Sequence, residues 1–227
     1  MMIPIQHWQL MIDQNYVNEY SYVIGCDEVG RGPIAGPVVG CAVKLSLEKM
    51  ASISHLGFTD SKKLSEKKRK ELLKHLAINT LKLKTNKLYH YQDIFSYCLI
   101  EKDNDYIDEH NILASSLECM YQASRKQFCD NSIILIDGNQ KFRKGKMPAL
   151  PIVKGDSKSL AIAIASVIAK DFRDEKMKIF DRLYPGYGLA SHAGYPTKAH
   201  KEAVAQLGVT PIHRKTFRGV KEFVAGV

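Results

Sequence analysis

The sequence predicts an α/β protein in which strands and helices interleave within one domain spanning residues 1–227. Three observations carry that expectation. Short runs rich in β-branched residues, SYVIGCDE (21–28), PVVGCAVKL (37–45) and SIILIDG (132–138), are separated by longer segments whose apolar residues recur at helical spacing. The two kinds of segment are mixed along the chain, as a sheet flanked by helices requires. No repeat, low-complexity stretch or linker divides the 227 residues, which suffice to bury one core without disulfide or metal staples.

A polar leader ends near Tyr20, and the first two strands follow, joined by a loop carrying Gly30, Gly32, Pro33, Gly36 and Pro37. Ser65 is placed to cap a helix from about Glu66 to Ala77. Its apolar stripe is Leu72, Leu73 and Leu76, and Lys67, Lys68, Arg69, Lys70 and Lys74 read as a solvated basic face. From Thr80 to Leu88 leucines alternate with lysines, the pattern of a half-buried strand. One long helix is expected from about Asp103 to Lys126, and then an apolar strand, Ser132 to Ile136, running straight into Asp137. A strand near Leu150 to Val153, the string KGDSKS, and a helix from about Ser159 to Leu183 come next. A Pro- and Gly-rich stretch precedes a helix near Thr197 to Leu207 and a basic tail, so roughly residues 190–227 form a C-terminal helical portion.

Composition bounds the function. With 45% hydrophobic and 25% charged residues the chain is neither disordered nor collagenous. The longest apolar run, Leu160 to Ala169, is broken by Ser166 and ended by Lys170, too short to span a bilayer. Gln6, His7, Gln9 and Asp13 interrupt the N-terminal segment where a secretory signal needs an unbroken apolar stretch, which predicts a cytoplasmic protein with no membrane contact. Thirty-three Lys and Arg against 24 Asp and Glu leave a net charge of +9 and favour a polyanionic partner. The five cysteines contain no C-x-x-C and read as reduced core thiols.

Gly30, Gly32 and Gly36 imitate a dinucleotide-binding fingerprint, but a second strand follows them where that site needs a helix N-terminus. No P-loop and no G-x-S-x-G elbow occurs. What remains is acidic. Asp27 and Glu28 end an apolar strand beside Arg31, Asp137 ends another before a glycine, and Asp156 sits in K-G-D-S before a helix. Alone, Asp27 reads equally well as a salt-bridge partner of Arg31. Three or four acids brought to one sheet edge would instead repel without a counter-ion, and oxygen-only ligands suit Mg²⁺ or Mn²⁺. Two such ions are a recurring device for phosphodiester hydrolysis, so a basic protein with this site is a nuclease candidate.

The strings CDEVGRGPIAGPVV (26–39), DSKKLS (60–65), IDEHNILASSL (107–117), LIDGN (135–139), VKGDSKSLAIAIASVIAKDFRD (153–174), YPGYGLASHAGYPTKAH (184–200) and IHRKTF (212–217) resemble bacterial ribonuclease HII. The resemblance covers residues 21–220 in order. It implies a ribonuclease H-like fold with a mixed five-stranded sheet flanked by helices, and a metal-binding and catalytic set of Asp27, Glu28, Asp137 and Asp156. It also implies that the backbone of Gly30, Arg31 and Gly32 reads a ribose 2′-OH, and that Tyr195 packs on the neighbouring deoxyribose. Lys62, Lys63, Lys154, Lys158 and Arg214, with Lys215, are placed to neutralise phosphates. Asp174 lies about five helical turns beyond Asp156 and reads as an ion-pair partner of Lys170 or Arg173. Val29 stands where the family usually has alanine.

The expected protein is a monomeric endonuclease using Mg²⁺ or Mn²⁺, two ions during catalysis. Its expected substrates are RNA/DNA hybrid and duplex DNA with embedded ribonucleotides, cut 5′ to the ribonucleotide to leave 3′-OH and 5′-phosphate, in replication and repair. No protein partner is expected. The alternatives are an inactive nucleic-acid-binding protein on the same scaffold and a two-metal DNA nuclease, which would not need the glycine loop.

Overall fold

Two glycines decide how closely helices approach the middle of the sheet. Strands β1 (Tyr22–Val29) and β2 (Val38–Ser46) pair antiparallel along their full length, with Asp27 opposite Cys41. A Cβ on Gly25 of β1 would lie 2.3 Å from the Ile162 amide nitrogen, and one on Gly40 of β2 would lie 2.7 Å from Cys119 Cβ. Neither volume is free, so each glycine lets a helix backbone sit directly on the strands. The helices are α4 (Leu160–Leu183) on one face and α3 (Ile112–Arg125) on the other. The computed structural model describes residues 12–142 and 144–224.

The remaining strands are β3 (Leu88–Tyr91), β4 (Phe95–Lys102), β5 (Ser132–Asp137) and β6 (Ala149–Ile152), giving a mixed six-stranded sheet in the order β3-β4-β2-β1-β5-β6. Strands β1, β5 and β6 run parallel, and β2, β3 and β4 join antiparallel. Five strands were expected and six are present: the expected Thr80–Leu88 strand is absent, and two others, β3 and β4, take its place. Asn79 accepts a hydrogen bond from the Leu81 amide and opens a 3-10 turn over Thr80–Lys82 instead, with Thr80 Oγ1 donating to a buried Asp171 carboxylate at 2.6 Å. The true hairpin lies just beyond. Strand β4 escaped notice because it is buried on both faces and therefore carries no alternation.

The helix expected from Asp103 to Lys126 is two helices, α2 (Asn104–His110) and α3, broken at Asn111. Asn111 adopts φ 63° with ψ 161°, a strained backbone conformation outside the left-handed helical well, and its side chain accepts from the Ala114 amide to cap α3. Helix α1 (Glu66–His75) is capped by Ser65 as expected, and its basic face is partly ion-paired, Lys70 bridging Glu66 and Glu175. One apolar cluster packs α1 and α4 on one face of the sheet, including Phe58, Leu72 and Leu99. A second packs α3 on the other, with Ile24, Met120 and Ile134. The five cysteines are free thiols.

Helix α5 (Lys198–Leu207) and the one-turn helix Leu189–His192 belong to a third cluster, in which Ala35, Met177, Tyr187 and Ile212 meet. This C-terminal segment is stitched to the loop between β1 and β2 through backbone bonds from Ile34 to Gly194, Gly36 to Ile212 and Arg214 to Ile34. From the leader, buried Asp13 reaches the start of α4 and accepts from Ser159 Oγ and the Leu160 amide. Burial pushes its carboxyl up to about 7 despite those bonds. Residues 1–11, on which much of the expectation about the leader rested, lie outside the described residues. Among the described residues no helix is long and apolar enough to cross a membrane.

Candidate active site

Sheet register brings the acids together. Strands β1 and β5 pair in parallel through Cys26 and Ile136, so the next residue on each, Asp27 and Asp137, falls at the same end of two adjacent strands. Neighbouring strands lie about 4.8 Å apart. The 3-10 turn Gly155–Ser157 then leads Asp156 into α4 at that end, and Asp137 Oδ1 accepts from the Gly155 amide at 2.7 Å and the Asp156 amide at 3.4 Å. Glu28 takes the opposite side of β1 and pairs with Arg31 at 3.2 Å. The expected alternative of an Asp27–Arg31 pair is thus replaced by Glu28–Arg31, while Asp27 Oδ1 accepts from its neighbour's amide at 2.7 Å.

The electrostatics follow from this crowding. Burial, then repulsion from Glu28 and Asp137, hold the Asp27 carboxyl well above the usual range. Burial, then repulsion from Asp137 and Asp60, push Asp156 up to about 6. Burial also raises Glu28, opposed by Arg31. Lys62 faces the same group; partial desolvation lowers it, but the attraction of Asp27, Asp60 and Asp156 together raises it. Asp60 hydrogen-bonds Asp156 and is a fifth acid that the residue-by-residue reading missed. Its signal was its place at the head of the DSKKLS string.

A cleft of about 520 Å³ opens beside these acids, lined by Asp27, Glu28, the Gly30–Gly32 loop, Lys62 and Tyr195. Ser166 of α4 lines it too and hydrogen-bonds the Asp27 carboxylate. Gly30 has φ +96°, a conformation that L side chains rarely adopt. Tyr195 is 41% exposed, and a Cβ on Gly32 would stand 3.0 Å from its ring. Among the described residues, the amides of Arg31 and Gly32 donate to no protein acceptor. Two free N–H groups therefore border the cleft.

Lys62, Lys63, Lys154 and Lys158 are exposed, and among the described residues none has a carboxylate within ion-pair distance. Arg214 is a correction. Expected as a phosphate contact, it is fully buried, and its guanidinium is occupied by the carbonyls of Gly30, Arg31 and Gly36. Lys215 is exposed, with its ammonium 3.9 Å from Asp105. Asp174 pairs with Lys170 at 2.6 Å, as read from the sequence, and with Arg69 at 2.9 Å, not with Arg173.

The donor set fits a hard cation: it is all oxygen and partly buried, and Asp27 and Asp156 are raised in pKa by burial and then by repulsion that a cation would relieve. The carboxylates feel one another's charge but are not closed on a point. Among the described residues no group of three His, Cys, Asp or Glu side chains already forms a coordination cage.

A family model described as ribonuclease HII matches residues 24–220. Among solved structures, ribonuclease H2 from Pyrococcus horikoshii OT3 is 24% identical, with TM-score 0.70, over 89% of this chain and 96% of that one. The ribonuclease HII of a PCNA complex from Archaeoglobus fulgidus is 21% identical, with TM-score 0.64, over 87% and 95%. Bst-RNase HIII in complex with Mn²⁺ is 19% identical, with TM-score 0.66, over 91% and 70%. At these identities the structures establish a shared fold.

Proposed function

Because the chain belongs to the ribonuclease HII family, and is thus a ribonuclease H hydrolase, we propose that it cuts the RNA strand of RNA/DNA hybrids and the phosphodiester 5′ to ribonucleotides embedded in duplex DNA. The observation that carries this reading is the convergence of Asp27, Glu28, Asp137 and Asp156 at one end of the sheet, beside a cleft bordered by two unpaired amides. A scissile phosphate would need the first feature and a ribose the second.

We assign the four acids to hold Mg²⁺ or Mn²⁺, two ions during catalysis. Bound there, such ions supply an activated water and stabilisation for the leaving 3′ oxygen. The protein's own groups do the rest. Lys62 offsets the anionic cluster, so that a phosphate meets a less repulsive surface. The exposed Lys63, Lys154 and Lys158 are assigned to backbone phosphates, where each neutralised contact adds salt-sensitive, sequence-independent affinity. The amides of Arg31 and Gly32 are free to donate to a 2′-OH, the group that distinguishes RNA from DNA. Tyr195, half-exposed against Gly32, is assigned to the sugar on the far side of the cut. One copy of the chain contains every group named. The reading predicts a monomer working in the cytoplasm in ribonucleotide excision.

The test is incubation with a labelled duplex carrying one ribonucleotide, in Mg²⁺, Mn²⁺ or chelator. A single cut 5′ to the ribonucleotide, abolished by chelator, is the expected result. Equal cutting of all-DNA duplex refutes the reading.

A further inference from the structure

Two arginines are buried without a carboxylate. Arg173 and Arg214 are both 0% exposed, and among the described residues neither has an acidic partner within ion-pair distance. A buried guanidinium is costly unless it is hydrogen-bonded, and here every guanidinium nitrogen donates to a backbone carbonyl. Arg173 donates to Pro37 O at 2.9 Å, Ala193 O at 2.9 Å and Ala35 O at 3.1 Å. Arg214 donates from Nη2 to Gly30 O at 2.6 Å and Gly36 O at 2.9 Å, from Nη1 to Arg31 O at 3.1 Å and from Nε to Gly36 O at 3.1 Å. The Phe217 ring covers the Arg214 guanidinium with its centroid 5.0 Å away. All but one of these carbonyls belong to the loop between β1 and β2.

Peptide planarity gives this arrangement a consequence. In a trans peptide the carbonyl of one residue and the amide N–H of the next point in opposite directions. By holding the Gly30 and Arg31 carbonyls against the core, Arg214 turns the N–H groups of Arg31 and Gly32 away from it. Those are the two amides without a protein acceptor at the rim of the cleft.

We propose that Arg214 is a specificity-determining positioning residue: without touching substrate, its guanidinium fixes the orientation of the two amides that donate to the ribose 2′-OH. This inference rests on the ribonucleotide reading above. It also replaces the phosphate contact that the sequence suggested for this residue. A lysine keeps the charge, but one ammonium cannot span three carbonyls held by a planar fork.

The experiment compares wild type, Arg214→Lys and Phe217→Leu as full-length chains. It measures thermal melting, single-turnover cleavage of a duplex with one ribonucleotide, and affinity for all-DNA duplex across a salt series. Arg214→Lys is expected to cut about 10²-fold more slowly per folded molecule, with all-DNA affinity and salt slope unchanged. Phe217→Leu, which loosens the guanidinium without removing it, is expected to shift cleavage in the same direction by about 3- to 10-fold. It carries the test should Arg214→Lys not fold. A salt slope smaller by about one, with weaker all-DNA binding, would show a phosphate contact and overturn the proposal. Wild-type cleavage by either folded variant overturns it as well. Failure of the wild type to cut this duplex refutes the ribonucleotide reading instead, so the two failures are distinct.

Discussion

Gly32→Ala separates a recognition role from a structural one within a single loop. The added methyl would stand 3.0 Å from Tyr195 Cε1 and meet nothing closer. Gly32 has no positive φ, and Tyr195 is 41% exposed, so its ring can yield by the few tenths of an ångström required. The expected stability change is therefore within about 0.5 kcal/mol, as for an ordinary surface substitution. Function should respond differently. A methyl at the rim holds a sugar away from the Gly32 amide, and losing one such hydrogen bond in a closed complex costs about 1–3 kcal/mol, or roughly 5- to 150-fold in rate. Gly30→Ala is the counterpart. Its Cβ would fall 2.4 Å from Arg173 Nε and 2.7 Å from Pro37 O at φ +96°. Left-handed strain of about 1–2 kcal/mol and overpacking of about 1–3 kcal/mol should together lower the melting temperature by roughly 4–20 °C. The assay pairs thermal melts with single-turnover cleavage of a one-ribonucleotide duplex. Wild-type cleavage by Gly32→Ala, or a melting temperature lowered as far as that of Gly30→Ala, would refute the reasoning.

Asp27→Asn and Asp137→Asn should fold normally, since each removes repulsion, and cut at least about 10²-fold more slowly; near wild-type rates at saturating Mg²⁺ would remove them from the site. Tyr195→Ala should slow cleavage at a single ribonucleotide more than within a long hybrid, where the adjoining sugar is ribose, and equal losses would end its assignment to the junction. Affinity for hybrid duplex should fall with salt at a log-log slope of roughly −3 to −6, whereas a flat response would leave the +9 charge a solubility feature. Burial and then His200, 3.2 Å away, depress His213 to about 4. Its folded pKa lies below the unfolded 6.5, so it adds stability above pH 6.5 that is lost as pH falls toward 4. Melting temperature across that window should decline less steeply in His213→Gln, and an unchanged slope would contradict this account.

The acids were legible for a reason particular to them. Asp27 and Asp137 each follow an unbroken apolar strand, and such a run ending in a carboxylate announces a charge at a sheet edge. Helix α4 was equally plain, because its first ten residues carry one polar side chain, Ser166, and its start is marked by Ser159. Asp60 was harder to see, since nothing local relates it to Asp156 almost a hundred residues later. Strand β4 and the Asn111 break were missed for opposite reasons. The strand is buried on two faces and has no period, while the two helices keep one apolar stripe across a cap that only the backbone reveals.

What the sequence determined by itself was the α/β class, four of the five acids in the anionic cluster, and the string of motifs shared with ribonuclease HII. Each is carried by residues close together in the chain, where spacing and residue type are sufficient. Tertiary structure alone decided which cations are free to meet phosphate. Lys154 and Arg214 look alike as letters beside other basic residues, yet one stands in solvent and the other is fully buried. The difference lies in partners 178 to 184 residues away, the carbonyls of Gly30, Arg31 and Gly36. Whether a guanidinium is hydrated or spent on backbone depends on which surfaces fold against it, and a one-dimensional pattern holds no record of that contact.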